Sequence, residues 1–284
     1  MKTLFFYWGI LFFTIFSAEA QVDVEKVNER LIFLDPAYFR KLNSNSEGLD
    51  LLYNVSDMYA LKGNKDSAFF YLFRPIQLCP PFFDNCKEVY MPDVLGNICY
   101  EKLHKTKEWG IFKEKIKTGF FEVVKNVQQP ELAYDLLVAK GEDQSVRFYS
   151  RYFHDRLQKK SIELGKKHLS FIKKVIENFG YPTVALVGDR AARAAFLLCQ
   201  HADSDIQFQK KVLTLIKTSN EVPKNEIAYL TDRVMVAEEG KQLFGTQFLS
   251  LKEKKLYPIK DSINVDKRRK EMNLNSLSEY LKSF

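Results

Sequence analysis

Apolar residues recur at helical spacing on both sides of Lys62-Gly63-Asn64-Lys65, so the pattern over 51–80 predicts two antiparallel helices joined by that turn. A second, less regular helical pair is predicted over 93–127, with Leu95, Ile98, Leu103, Trp109, Phe112 and Ile116 as its apolar positions. Near Gln129-Pro130 the texture changes, and Pro130 marks a boundary. Beyond it the pattern predicts a helix over 131–140, a long helix over 161–178 stopped by Gly180-Tyr181-Pro182-Thr183, and a small-residue helix over 191–200. Further helices are expected over 206–218, with Asp205 as its cap, around 228–234, and over 276–281. The fold class is therefore all-α, a helical-hairpin region over 21–130 packed on a helical domain over 131–284.

The first residues carry a different pattern. Met1-Lys2-Thr3 is followed by a largely apolar run over 4–16 and then Ser17-Ala18-Glu19-Ala20, which has the small-x-small form of a signal-peptide cleavage site. Cleavage after Ala20 is expected. The run is short of the roughly 20 apolar residues that span a bilayer, and no later stretch is long enough, so the mature chain is expected to be exported, periplasmic or extracellular, with no membrane span.

The formal net charge of +7 survives this cleavage, because the leader removes Lys2 and Glu19 together. Export argues against nucleic acid as the partner of this basic chain and directs attention to a protein or an anionic component of the cell envelope. The basic runs Lys252-Glu253-Lys254-Lys255 and Lys267-Arg268-Arg269-Lys270 are short and interrupted, and read as solvated faces. Export also permits disulfides. Cys79 and Cys86 bracket a short loop-like stretch and form a candidate pair, with Cys99 as an alternative partner, whereas Cys199 lies in an apolar helical run and reads as a core residue.

Two resemblances emerge. Val55, Ser56, Tyr59, Ala68, Leu72 and Pro80 fall at the spacings of one tetratricopeptide repeat, although Pro75 departs from it and is expected to kink or end the second helix. In the C-terminal part, Gly180-Tyr181-Pro182-Thr183, Gln200-His201-Ala202-Asp203, Ala228-Tyr229-Leu230-Thr231-Asp232-Arg233-Val234, Gly245-Thr246-Gln247-Phe248 and Val265-Asp266-Lys267-Arg268-Arg269 follow in order, preceded by Asp143-Gln144 and Arg147. Together these clusters resemble a bacterial domain family of unknown function. The resemblance implies a mostly helical domain and brings no activity with it; Tyr181 and Phe244 stand where that family usually has tryptophan and tyrosine.

The candidate chemistry centres on His201, whose ordinary pKa lies near neutrality and which stands close to Asp203 and Asp205. His201 with Asp203 or Asp232 forms an acid–base candidate; alternatively His201 ends its helix while the aspartates cap the next. A lone histidine with two loop aspartates is a weak metal pattern, so no metal site and no cofactor is assigned. Gln144, Arg147, Gln200, Gln209, Arg233, Thr246, Gln247 and Arg269 exceed in polarity what helix packing requires. They form either a buried hydrogen-bond network or a polar cleft in which arginine clamps a carboxylate or phosphate, with Gly245 allowing close backbone approach. Two functions follow. The first is an exported binding or interaction module with a polar cleft. The second is a cell-envelope hydrolase or transferase using His201 with an aspartate, and Arg147 and Arg233 to hold an anionic substrate.

Overall fold

The computed structural model describes residues 46–79, 81, 84–150, 153–218 and 221–284. The leader, Pro80 and the side chain of Cys86, on which three expectations rest, lie outside the described residues. Of the remaining cysteines, Cys99 and Cys199 are buried free thiols.

The protein is mostly helical. α1 (Ser46–Lys62) and α2 (Lys65–Leu78) form the expected antiparallel pair. Gly63 turns with φ of 79°, and Asn64 caps α2 by accepting from the Ser67 N–H. The two helices approach closely at small residues: Ala60 and Ala68 are buried, and the Ser56 hydroxyl donates to the Ala68 carbonyl at 2.7 Å. Pro75 does not end α2, which runs three residues past it. Its ring is buried, so the apolar contact offsets the one helical hydrogen bond that proline deletes.

The second predicted pair is only half α-helical. Three successive 3-10 turns, Asp84–Tyr90, Pro92–Gly96 and Ile98–Leu103, precede α3 (Lys107–Val123). Pro92 opens the middle turn, and Asn97 caps the third by accepting from the Cys99 N–H, so local capping interrupts what periodicity alone would have joined.

α4 (Pro130–Ser150) organises the molecule. It continues past the expected end at 140 because Gly141 is a contact position and not a stop: the helix passes so close to the Pro92–Gly96 turn that a Cβ on Gly141 would lie 1.9 Å from the Asp93 carbonyl oxygen. Gly96 fits against the same helix, where a Cβ would sit 2.2 Å from the Val138 carbonyl. On its other sides α4 packs against α5 (His154–Phe179) and against α7 (Asp189–Gln200), which follows the single-turn α6 (Val184–Val187). α8 (Ile206–Thr218) and α9 (Lys224–Glu239) complete the bundle. One core runs through all of this, from Ala60 and Leu72 through Phe112, Leu136 and Ile172 to Ala194, Ile216 and Leu230. Beyond α9 come a short antiparallel hairpin not foreseen from the pattern, β1 (Phe248–Ser250) and β2 (Lys255–Leu256), and then α10 (Val265–Glu271) and α11 (Leu277–Lys282).

A buried carboxylate lies between α1 and α4. Asp57 accepts from the Asn97 amide at 2.7 Å and the Tyr149 hydroxyl at 3.1 Å through Oδ2, while its Oδ1 has no partner. Burial raises its pKa to about 6, and the Tyr100, Asn97 and Tyr149 groups offset this only in part. The folded state therefore holds a proton that the unfolded chain has already released, so stability falls as pH rises through the interval between the unfolded value of 3.8 and about 6. Asp57→Asn mimics the protonated form. Its stability relative to wild type should improve by about 2.5 kcal/mol between pH 4 and pH 7.5, read from urea unfolding at the two pH values. An unchanged difference would show that Asp57 does not titrate in this window.

Candidate functional site

α4 and α7 bring together two residues 58 positions apart. Asp143 is buried, and its Oδ2 accepts from His201 Nδ1 at 2.6 Å and from the Gln144 amide at 2.8 Å. Its Oδ1 accepts from Arg147 Nε at 2.9 Å, one helical turn along. Burial alone would raise the Asp143 carboxyl, but the hydrogen bond and charge of His201, together with Arg147, outweigh it and hold the group well below the usual carboxylate range. A carboxylate only accepts, so Nδ1 of His201 carries the proton. Burial lowers the pKa of His201, Asp143 partly restores it, and the positive charges of Arg147 and Arg233 depress it further. The imidazole is thus neutral at neutral pH, and its Nε2 takes no protein partner among the described residues.

His201 sits where the chain leaves α7. Asp205 caps α8 as expected, accepting from the Phe208 N–H at 2.9 Å, and also binds Lys173 at 2.5 Å. Asp203 turns to Arg233, which donates through Nη1 at 2.6 Å, while Arg233 Nε is buried without a partner. Gln209 is buried and donates through its amide to the Gln200 carbonyl at 2.8 Å, stitching the end of α7 to α8. The histidine's carboxylate partner is therefore Asp143, not Asp203 or Asp232. Sequence reasoning placed Asp143 in one motif with Gln144 and Arg147, but counted only the latter two as site residues and did not pair the aspartate with His201. The sequence signals available were the place of Asp143 in that motif and its one-turn spacing from Arg147.

The other motif residues form a second network. Asp232, fully buried in α9, accepts the backbone N–H groups of Leu243, Phe244 and Thr246 and the Thr246 hydroxyl, at 2.8 to 3.2 Å. The Gln247 amide donates to the Thr246 hydroxyl, and buried Gln242 donates to the Gln247 and Tyr257 carbonyls. Gly245 has φ of 71°, a conformation that strains other residues. Arg269, read in sequence as part of a solvated basic run, is buried. It donates to the Phe244 and Asn275 carbonyls, and its guanidinium lies 4.8 Å from the Tyr280 ring centroid. Arg268 likewise donates to the Leu243, Lys260 and Asp261 carbonyls. These two arginines satisfy the carbonyls of the same loop whose N–H groups Asp232 holds.

The structure thus gathers Gln144, Arg147 and His201 around Asp143, with Arg233 joined through Asp203 and Gln209 beside it. It sets Asp232, Gly245, Thr246 and Gln247 in a self-satisfied scaffold. The scaffold and the His201 group meet through adjacent residues of α9, Asp232 facing one and Arg233 the other.

Two surface depressions lie away from His201. An open groove of about 620 Å³ is lined by Ile76, Tyr90, Ile111, Glu114, Thr118 and Gly119 among others. A small cavity of about 40 Å³ lies at the turn containing Tyr181, beside Asp189, Arg193 and Glu226. Burial raises the pKa of Glu226 to about 7, with Arg193 opposing and Asp189 reinforcing the shift. Among the described residues no group of His, Cys, Asp and Glu is arranged to hold a metal ion, and no helix is long and apolar enough to cross a membrane.

No curated protein and no solved structure matches the chain. A family model does, beginning beyond α4 so that Asp143 and Arg147 precede it: residues 155–284, which carry His201, Arg233 and the whole Asp232 network, match a family of unknown function (DUF6624).

Proposed function

We propose that this chain is an exported binding module that takes a small anionic group, a carboxylate or a phosphate, at His201 between Arg147 and Arg233. The observation that carries this reading is the electrostatic setting of His201. Its Nδ1 is committed to a buried carboxylate, its Nε2 is unengaged, and two guanidinium groups lie close enough to depress its pKa. Arg147 spends only Nε on Asp143, and Arg233 only Nη1 on Asp203, so each keeps N–H groups for a ligand. Export rests on the apolar run and small-residue site of the leader.

An anion seated here favours the imidazolium, which adds a donor at Nε2. Binding should therefore take up a proton and tighten as pH falls toward the lowered pKa of His201. The test is a thermal-shift and calorimetric titration of the 21–284 chain with phosphate and with acetate or succinate at pH 5.5 and 8. A ligand at a hundredfold excess over its Kd adds about 2.7 kcal/mol of stability. That gain should be larger at pH 5.5 and should vanish in Arg147→Ala and Arg233→Ala proteins that remain folded. No shift with any of these anions, or a shift that survives both substitutions, overturns the reading.

The Asp143–His201 pair also supports a second reading, a hydrolase or transferase. Asp143 holds the histidine with Nε2 as a base, as acid–base chemistry requires. Cys199, a few positions before His201, does not supply a nucleophile, because burial pushes its thiol far up. A base at Nε2 would act on water or on a substrate hydroxyl. NMR of phosphate and carboxylate esters incubated with the same protein separates the readings: turnover lost in His201→Gln favours the enzyme, and intact esters favour the module.

A further inference from the structure

The chain's positive charge is unevenly placed. Over 241–284 there are ten Lys or Arg against five Asp or Glu, so this last part carries most of the formal charge of +7. Arg268 and Arg269 spend theirs internally, and Lys260 is paired with Glu239. The β1–β2 hairpin does not: among the described residues Lys252 and Lys255 form no ion pair, and both are exposed.

The same hairpin exposes apolar side chains. Phe248 turns inward onto Tyr280 and Phe284, with ring centroids 5.9 and 4.9 Å apart. Strand alternation then directs Leu249 to the opposite face, where it is 52% exposed, and Leu251 at the tip is 46% exposed. Lys254, in the left-handed region at φ of 52°, shapes the tip and donates to the Leu281 carbonyl, tying the hairpin to α11. The result is a hairpin tied to α11 that exposes Leu249 on its outer face and Leu251 at its turn, with lysines around them. A soluble partner is poorly matched by so small an apolar tip. An interface that accepts shallow apolar insertion while presenting negative charge matches it well.

We infer that the β1–β2 hairpin is a docking element for an anionic phospholipid surface, with Leu249 and Leu251 entering the headgroup boundary and Lys252 and Lys255 facing the phosphates. This binding is independent of the His201 site. It is reversible, since two leucines and a few lysines fall far short of an anchor, and it weakens with salt as the lysine contribution is screened.

The test is vesicle co-sedimentation of the 21–284 chain, which keeps every described element. Vesicles of phosphatidylcholine alone are compared with vesicles containing one-third phosphatidylglycerol. Binding is expected only to the anionic vesicles. Lys252→Gln with Lys255→Gln should weaken it roughly thirtyfold, at about 1 kcal/mol per lysine. Leu249→Ser with Leu251→Ser should weaken it by about tenfold or more without lowering the melting temperature, since both side chains are already exposed. Arg147→Ala should leave it unchanged. Equal binding to both vesicle types, no binding to either, or anionic binding indifferent to both hairpin variants overturns the inference. So does capture of soluble polyphosphate in place of vesicles.

Discussion

Asp232→Ala should destabilise the protein by about 4 kcal/mol. Its two carboxylate oxygens receive three backbone N–H groups and one hydroxyl from the loop over 243–246. Removing a buried acceptor leaves each donor unsatisfied, at about 1 to 3 kcal/mol apiece before relaxation, and breaking such a buried charged network costs about 3 to 5 kcal/mol in total. Asp232→Asn is the informative companion. It keeps the volume but can present only one acceptor oxygen, so about half the loss is expected. Urea unfolding gives both values, and hydrogen exchange should show the amides of Leu243, Phe244 and Thr246 losing protection first. A loss below about 1 kcal/mol for the alanine variant would mean that the loop is held by Arg268 and Arg269 without it.

Gly141→Ala should also destabilise strongly, by about 3 kcal/mol, although helix propensity argues for the opposite sign. In an exposed helix interior, alanine in place of glycine stabilises by about 1 kcal/mol. Here the added Cβ would fall 1.9 Å from the Asp93 carbonyl oxygen and 2.7 Å from its carbon, against backbone that cannot rotate aside. The 3-10 turn must move away from α4, opening the seam through which the N-terminal helices pack on the rest of the core. Gly165→Ala, in α5 with nothing within 4 Å of its Cβ, is the control and should be neutral or stabilising. Thermal melts of the two variants should shift in opposite directions.

These two sites show what kinds of information the chain carries locally. The α1–α2 pair, α8 with its Asp205 cap and the short α11 were legible because the apolar period and the end signals lie within a few residues of each other. The 3-10 turns before α3 were not, because apolar residues there sit at spacings that a helix also permits, and Pro92, Gly96 and Asn97 decide the outcome. The hairpin was not, because strands of three and two residues are too short to show alternation.

The candidate site divides in the same way. That His201, Arg147 and Arg233 are unusual residues could be read from composition and motif. That Asp143 is the partner of His201 could not, since 58 residues separate them and only the packing of α4 against α7 joins them. An acid that orients a histidine and an acid that holds a loop look alike in a string of letters. Asp232 is the second kind because its partners are mainly backbone N–H groups, which every residue but proline possesses and which therefore leave no mark on the pattern. Arg269 reads as one charge in a basic run, and is buried because the carbonyls of Phe244 and Asn275 converge on it. Helical class, element order and caps followed from short-range spacing; the pairing of carboxylates with their donors followed from which helices touch, a property of the whole chain's packing that no local window contains.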